Sequence, residues 1–260
     1  MFSPPINRLI SILFFSVVGI AGCSSEGNKN GRSLEGVGSS TPTLSAVAKQ
    51  SLNVLVIGGT SGIGLEVVRQ SVERGHNVTA LARRPERMSF FHPQLTVLKG
   101  DVLDAESISN AISQNDVIIS TIGMGPTRKP VNVFSEGMTN TLAIMNASDK
   151  SRLITVTGIG AGDSNGHGGF FYDQVMLPLM LKTIYDDKDI QEALIKKSTT
   201  DWTIVRPGFL TDNPVENHYY VLDNLDGVRS GEISRADVAH FIIAAFEQNL
   251  YINETVFLTN

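Results

Sequence analysis

VLVIGGTSGIGL, residues 54–65, joins a short apolar run to a glycine-rich turn that opens into a helix-like stretch. This order of strand, turn and helix is typical of a dinucleotide-binding motif, whose helix N-terminus offers unpaired N–H donors to phosphate. Gly58 permits the sharp turn, Gly62 permits close approach of a pyrophosphate, and Gly64 permits tight packing of helix on strand. The motif predicts nucleotide contacts from Gly58, Thr60, Ser61, Gly62, Ile63 and Gly64.

The composition fits one globular domain and argues against several classes of protein. Of the 260 residues, 42% are hydrophobic, which is enough for a single core. The formal net charge of −5 provides no basic surface for nucleic acid. The single cysteine, Cys23, excludes an intramolecular disulfide and a cysteine-based zinc site. We therefore expect a small-molecule substrate, no nucleic acid and no metal, while the oligomeric state stays open, a monomer included.

The first fifty residues differ from the rest of the chain. A twelve-residue apolar run, residues 9–20, follows Arg8 and leads into Ala-Gly-Cys at Cys23, which resembles a bacterial lipobox. The run fits the hydrophobic region of a signal peptide and falls short of the roughly 20 residues that span a membrane. The sequence predicts a lipoprotein signal peptide at residues 1–22 with lipidation of Cys23. An uncleaved membrane anchor is the alternative.

Residues 23–50 are rich in Ser, Gly and Asn and lack apolar periodicity, so they predict a flexible tether. The folded domain is then expected at residues 51–260. The predicted location is the bacterial cell envelope, lipid-anchored and facing the periplasm, with the anchor as the only membrane contact. If the signal is not used, the protein stays in the cytoplasm.

Beyond residue 51, apolar strands alternate with amphipathic helices. This alternation predicts a single-domain α/β fold with a doubly wound parallel sheet, the Rossmann fold. Strands are predicted at residues 52–57, 77–82, 95–98, 116–121, 152–157, 202–206 and 254–258, and helices at 62–74, 105–113, 136–149, 185–198 and 234–248.

The end of the second strand indicates which dinucleotide is bound. An NAD site carries an acidic residue there for the ribose hydroxyls, whereas this chain has Arg83 and Arg84, with Arg87 shortly after. A guanidinium group suits phosphate because its planar fork donates bidentately. The sequence predicts NADP(H), with Arg83 as the first contact to the 2′-phosphate and NAD(H) as the less favoured cofactor.

Further cofactor contacts are expected where the other strands end, because ligands of open α/β sheets bind beyond the carboxyl ends of the strands. The predicted contacts are Asp101 and Val102 on the adenine side, Ile122 and Gly123 on the ribose and nicotinamide side, and Thr157 and Pro207 at the ends of the fifth and sixth strands.

Several stretches together resemble the atypical short-chain dehydrogenase/reductase family. They are the glycine loop, LARR at residues 81–84, GDV at 100–102, SEG at 135–137, DWTIVRPG at 201–208 and ISRADVA at 233–239. Within the family the chain is most similar to NADPH-dependent flavin reductase/biliverdin reductase B and NmrA-like proteins.

The resemblance implies an NADPH-dependent oxidoreductase that transfers hydride to a flat conjugated acceptor such as a flavin, a quinone or a biliverdin-like molecule. The NmrA-like resemblance also permits a non-catalytic NADP(H)-binding redox sensor. An isomerase or dehydratase that retains its cofactor is a third reading.

The Tyr-x-x-x-Lys pair that many members of the superfamily use for proton transfer is absent, since Asp189 stands four residues after Tyr185. Hydride transfer would then depend on how the substrate is positioned. The candidate catalytic residues are Thr157, where a catalytic hydroxyl is expected, Lys188, by resemblance near the nicotinamide ribose, and Tyr172. We interpret Tyr185 and Lys188, three residues apart, as a surface pair.

Residues 160–180 and 209–220 are expected to form the substrate wall. Residues 166–172, Gly-His-Gly-Gly-Phe-Phe-Tyr, combine a glycine-rich loop with three aromatic residues. This segment reads either as a mobile lid with an aromatic platform for a flat ring or as a surface loop whose aromatic residues cap the core.

Overall fold

An eight-stranded sheet forms the centre of the fold, within residues 50–260, the part that the computed structural model describes. The described residues form ten strands, of which β7 and β9 lie outside this sheet. They are β1 (Asn53–Ile57), β2 (Asn77–Ala82), β3 (Leu95–Lys99), β4 (Val117–Ser120), β5 (Arg152–Val156), β6 (Asp201–Pro207), β7 (Phe209–Thr211), β8 (Tyr220–Leu222), β9 (Glu232–Ser234) and β10 (Glu254–Thr259). The sheet order is β3-β2-β1-β4-β5-β6-β10-β8. The chain therefore winds in both directions from β1, as in a Rossmann fold.

Within residues 50–260, five α-helices connect the strands, and a π-helix directly precedes the fourth α-helix. They are α1 (Gly62–Glu73), α2 (Ala105–Ser113), α3 (Val133–Ala147), a π-helix (Tyr172–Leu181), α4 (Lys182–Lys197) and α5 (Arg235–Glu247).

The helices cover both faces of the sheet, which explains why its central strands are apolar along their whole length. Val54 and Val56 of β1 pack with α1 and α5 in one core cluster. Leu55 and Ile57 of the same strand pack with α2, α3 and α4 in a second cluster on the opposite face. Alternate side chains of one strand thus serve two separate cores.

The predicted fold class is confirmed, with one correction to the parallel sheet. Every neighbouring pair of strands is parallel except β10 with β8, which is antiparallel. In addition, β7 and β9 form a small parallel sheet of their own. The sequence analysis missed β7, β8 and β9 because each has only three residues and no readable periodicity.

Two helices begin three residues earlier than predicted, for reasons that lie outside the local sequence, while the other helix boundaries agree within two residues. Helix α3 begins at Val133 and not at residue 136, because Asp187 of α4 accepts the backbone N–H groups of Phe134 and Ser135. Helix α4 begins at Lys182, directly after the π-helix. A cap that comes from a distant helix cannot be read from the capped segment itself.

The predicted signal peptide, the Cys23 lipidation site and residues 23–49 of the predicted tether lie outside the described residues. Between residues 50 and 260, none of the helices has the length and apolar character needed to span a bilayer.

Candidate active site

A cleft of about 830 Å³ lies along the carboxyl ends of the parallel strands. It passes the glycine loop after β1 and the ends of β2, β4, β5 and β6, and it reaches residues of the π-helix and of α4. Its lining includes residues that follow β1 and β4, the two neighbouring strands between which the strand order reverses. This switch point is the usual ligand site of doubly wound sheets.

The glycines of the loop have distinct structural roles. A Cβ on Gly64 would overlap the carbonyl oxygen of Gly58 and would lie 2.5 Å from Thr121 Oγ1, so only glycine lets α1 approach β4 this closely. Gly58 and Gly62 have φ angles of +88° and +56°, a region that favours glycine. Gly62 faces open space, with only the Arg235 side chain within 4 Å of its hypothetical Cβ.

The N-terminus of α1 has no side-chain cap, unlike the N-termini of α2 and α5. Asp104 and Ser234 cap those two helices, and the Ser234 hydroxyl oxygen accepts from the Asp237 N–H at 2.9 Å. Ser61, the N-cap residue of α1, makes no such hydrogen bond. The first-turn N–H groups of α1 therefore remain available to an anion that enters the cleft beside the glycine loop.

The three arginines after β2 are exposed and line one end of the cleft. Arg87 belongs to a short 3₁₀ turn, Pro85–Arg87, that keeps it near Arg83 and Arg84 in the chain. None of the three forms an ion pair with another described residue. Their guanidinium groups are free to bind a phosphate ligand.

The other predicted cofactor residues also line the cleft. Val102 closes its floor against α3, where a Cβ on Gly137 would lie 2.7 Å from Val102 Cγ2. Gly123 has open space around it. The predicted cofactor residues that line the cleft are Gly58, Thr60, Ser61, Gly62, Ile63, Arg83, Arg84, Arg87, Asp101, Val102, Ile122, Gly123, Thr157 and Pro207, while Gly64 lies behind the loop as a packing residue.

Arg235 is a cleft residue that the sequence analysis did not assign. It is the first residue of α5, lines the cleft beside Gly62, and pairs with the exposed Asp212 at 2.6 Å. Its place next to the glycine loop is a result of the chain returning to the sheet after β9. Sequence spacing alone gives no sign of this contact.

The interpretation of Tyr185 and Lys188 as a surface pair is wrong, because Lys188 is buried. Its side chain is buried, and Nζ donates a hydrogen bond to the carbonyl oxygen of Thr157. Nζ also lies 5.2 Å from the ring centre of Phe134 and 5.3 Å from that of Tyr185. Burial lowers the pKa of Lys188 to about 8, and the nearby Glu192 carboxylate opposes this shift. Lys188 and Tyr185 therefore share the cleft wall.

Two tyrosines of the cleft lining form a hydroxyl pair. The Tyr172 and Tyr185 hydroxyl oxygens are 2.9 Å apart, and Tyr172 Oη is also 2.9 Å from the carbonyl oxygen of Ile159. A carbonyl can only accept, so Tyr172 donates to Ile159 and accepts from Tyr185. Burial raises the pKa of both tyrosines, which keeps both hydroxyls protonated at neutral pH.

Residues of α4 hold Thr157 by its two oxygen atoms, the hydroxyl and the carbonyl. Its hydroxyl donates to Glu192 Oε1 at 2.8 Å, and its carbonyl accepts from Lys188. Glu192 in turn receives two hydrogen bonds from the buried Arg206, which also pairs with the exposed Asp163. The sequence analysis did not assign Glu192 or Arg206, although the i, i+4 spacing of Lys188 and Glu192 was a readable signal.

Of the predicted substrate wall, only part faces the cleft. Tyr172, Phe209 and Leu210 line it, and the rings of Tyr172 and Phe209 are 5.4 Å apart in an edge-to-face arrangement. Phe170 and Phe171 do not line the cleft and are exposed to solvent. Within residues 50–260, no group of three His, Cys, Asp or Glu side chains is placed to hold a metal ion.

The switch-point cleft, the glycine loop and the uncapped α1 define a dinucleotide-binding protein of the Rossmann class. The NAD(P)H-binding family matches residues 58–249, which is most of the chain, and the protein belongs to this family.

Solved structures with similar folds include several oxidoreductases. ChuY, an anaerobillin reductase from Escherichia coli, has a TM-score of 0.67 at 23% identity and covers 80% of this chain and 96% of its own. A short-chain dehydrogenase/reductase from Veillonella parvula in complex with NADP has a TM-score of 0.68 at 13% identity, covering 81% and 95%. At these identities the similarity shows the fold.

Relatives of known sequence include the photosystem II assembly factor Ycf39 from Synechocystis, which is 26% identical over 214 residues. That alignment covers 78% of this chain and 61% of Ycf39, so the chain spans about three fifths of this relative. An isoflavone reductase homologue from Arabidopsis thaliana is 41% identical over 86 residues, which cover 30% of this chain and 28% of the relative.

Proposed function

We propose that the protein is an NADPH-dependent reductase that transfers hydride to a flat conjugated acceptor such as a flavin, a quinone or a biliverdin-like molecule. One observation carries this proposal. The cleft that the predicted dinucleotide residues line is also lined by Lys188, Tyr172 and Tyr185, which come together there. A protein that only holds a nucleotide has no need for this group of polar and aromatic side chains.

The cleft residues fit NADP(H) as the cofactor. Open space around Gly62 and Gly123 leaves room for the ligand next to the backbone, and the first turn of α1 offers free N–H groups to the pyrophosphate. The unpaired guanidinium groups of Arg83, Arg84 and Arg87 stand where a 2′-phosphate is expected. An acidic residue for the ribose hydroxyls of NAD is missing from the end of β2.

NADPH, when bound, supplies the hydride. The protein positions the acceptor and supplies a positively charged side chain and hydrogen-bond donors. Lys188 carries a positive charge below about pH 8 and, through its hydrogen bond to the Thr157 carbonyl, fixes the backbone at the end of β5. The Tyr172 and Tyr185 hydroxyls are neutral and lie in the cleft lining. If the Tyr185 hydroxyl turns away from Tyr172, it can donate its hydrogen to a polar edge of the acceptor. The Phe209 ring offers apolar contact for a flat molecule.

The reductase proposal draws support from the similar folds. ChuY is an anaerobillin reductase, and the Veillonella protein was solved with NADP. Both are different proteins at low identity, so they guide the choice of acceptors and cofactor to be tested.

The experiment measures NADPH and NADH binding to the purified protein by calorimetry and then follows NADPH oxidation with FMN, riboflavin, quinones and biliverdin. We expect tighter binding of NADPH and acceptor-dependent oxidation. Tight NADPH binding without oxidation by any acceptor would contradict the reductase and favour a redox sensor. Co-purified nucleotide without net oxidation would favour an isomerase or dehydratase.

We also propose that the protein is a lipid-anchored envelope protein, on the strength of the apolar run at residues 9–20 and Cys23. Fractionation of cells that express the wild type or Cys23→Ala tests this. We expect the wild type in the membrane fraction and the variant outside it. If both stay in the cytosol, the lipoprotein proposal is wrong.

A further inference from the structure

A group of exposed apolar side chains lies in and next to the cleft lining, on the loop after β4, at both ends of the π-helix and on β7. We name it the rim patch. Phe170 and Phe171 are 82% and 66% exposed and precede the π-helix, whose end carries the exposed Leu179 and Met180. The rim patch consists of Met124, Phe170, Phe171, Leu179, Met180 and Leu210.

Hydrogen bonds hold two parts of the rim patch together. The loop after β4 is fixed to the end of the π-helix, because Thr127 N donates to the Met180 carbonyl at 3.2 Å and Arg128 Nε donates to the Leu179 carbonyl at 3.0 Å. Thr183 Oγ1 donates back to the Thr127 carbonyl at 3.2 Å. The exposed apolar side chains are therefore presented from an ordered backbone.

The rim patch is continuous with the cleft. Met124 and Leu210 belong both to the rim patch and to the cleft lining. Tyr172, one residue after Phe171, also lines the cleft and packs its ring against Phe209. Whatever covers the rim patch thus covers the mouth of the substrate side of the cleft.

Basic side chains flank these apolar residues. Arg128 and Lys129 are exposed and form no ion pair with any residue between 50 and 260. Lys182 is also exposed, and its partner Asp186 is exposed as well, so solvent screens that pair. The whole chain carries a net charge of −5, so a local group of unpaired cations next to exposed aromatic residues differs from the rest of the protein.

We propose that the rim patch docks on an anionic lipid surface. Exposed Phe and Leu side chains beside Lys and Arg are the combination that inserts into the boundary between headgroups and acyl chains. Unpaired cations at the edge of such a surface are attracted to anionic headgroups. Docking in this orientation opens the substrate side of the cleft toward the bilayer. The inference concerns lipid binding and does not require turnover.

Charge favours a lipid surface over a second copy of this chain as the partner. A pairing of two rim patches about a two-fold axis would bring the Arg128 and Lys129 side chains of both copies to the same interface. Like charges that meet at an interface oppose such a pairing. Anionic headgroups supply the missing negative charge.

The test places a fluorescent reporter in the rim patch of the full-length chain. The chain has one tryptophan, Trp202, and it is buried, so it serves as an internal reference. Phe171→Trp puts an indole in the rim patch. Phe91→Trp is the matched control, since Phe91 is 84% exposed and precedes the amino end of the edge strand β3, whereas the cleft lies at the carboxyl ends of the strands. Each variant is mixed with vesicles of brominated phosphatidylglycerol or brominated phosphatidylcholine.

We expect the indole at position 171 to lose most of its fluorescence with brominated phosphatidylglycerol, while the indole at position 91 and Trp202 keep theirs. Adding Lys129→Glu and Lys182→Glu to Phe171→Trp should weaken the quenching severalfold, because both side chains are exposed cations beside the rim patch. This design separates rim docking from anchoring by the N-terminus, because a protein held only by its N-terminus would bind vesicles without quenching at position 171.

Three results would overturn the inference. One is a vesicle-bound protein whose indole at position 171 is not quenched. Another is equal quenching at positions 171 and 91. The third is a blue shift at position 171 that depends on protein concentration in the absence of lipid, which would indicate contact between two copies. Because no readout uses NADPH, failure here leaves the proposed reductase activity standing.

Discussion

Thr157 donates its hydroxyl hydrogen to Glu192 Oε1 at 2.8 Å. Glu192 belongs to α4, as does Lys188, which binds the carbonyl oxygen of the same threonine. One helix therefore fixes the end of β5 from two sides, next to the expected nicotinamide position.

Glu192→Gln should destabilise the protein by about 3–5 kcal/mol, because it removes the buried partner of a buried guanidinium group. Asp163→Asn removes the other carboxylate that pairs with Arg206, but Asp163 is largely exposed, so we expect a loss of about 0–1 kcal/mol. Urea unfolding of both variants measures the difference. Equal losses would show that Glu192 is not the main partner of Arg206.

Lys188→Arg should change the pH dependence of turnover. Burial lowers the pKa of Lys188 to about 8, so a reaction that needs its positive charge slows as the pH rises through that value. Arginine stays protonated, and the decline should move to a higher pH. The measurement is kcat/KM against pH for both proteins. An unchanged profile would remove Lys188 from the catalytic proposal.

Lys188→Met should lower activity while leaving stability at neutral pH unchanged or higher. The pKa of the group is about 8 in the folded protein and 10.5 when unfolded, so its burial opposes folding fully below pH 8. Between pH 8 and pH 10.5 the unfolded chain binds more protons than the folded one, so the free energy of unfolding of the wild type should increase as the pH rises. Chemical unfolding across this range should show the gain in the wild type and its absence in Lys188→Met.

Arg83→Glu should weaken NADPH binding about 10–100-fold, because a charge-assisted hydrogen bond contributes about 1.5–3 kcal/mol. NADH binding should change little, since NADH lacks the 2′-phosphate. Lys129→Glu, at an exposed cation that does not line the cleft, is the control and should affect neither nucleotide. Equal weakening of NADPH and NADH by Arg83→Glu would speak against a 2′-phosphate contact.

Gly64→Ala should destabilise the fold by about 1–3 kcal/mol, since the added methyl group overlaps the Gly58 carbonyl in a packed region. Gly123→Ala should leave thermal stability nearly unchanged, because no atom lies within 4 Å of its hypothetical Cβ. Melting temperatures of the two variants test this contrast. A stable Gly64→Ala variant would show that α1 can shift away from β4.

Local patterns in the sequence were enough to predict the sheet, the glycine loop and the arginines after β2. Each depends on neighbouring residues, such as the apolar run before Gly58 or the arginines that directly follow β2. Lys188 shows the limit of this approach. A lysine three residues from a tyrosine looks like a surface residue, and only the packing of α4 against β5 makes it a buried one.

Tertiary contacts that join distant parts of the chain were the other missing information. Arg235 reaches the glycine loop from a segment more than 170 residues later, and Asp187 caps a helix that begins 54 residues earlier. Neither contact can be recognised from the local sequence around the two residues that form it. The same holds for the three-residue strands, whose existence depends on their partners.

The most direct test of the central claim is a comparison of acceptor reduction with NADPH and with NADPH deuterated at the transferred position, at saturating flavin, quinone or biliverdin. We expect acceptor-dependent oxidation that slows with the deuterated cofactor and that is faster with NADPH than with NADH. Bound NADPH that no acceptor oxidises would contradict the reductase proposal and would leave the protein as a nucleotide-binding sensor.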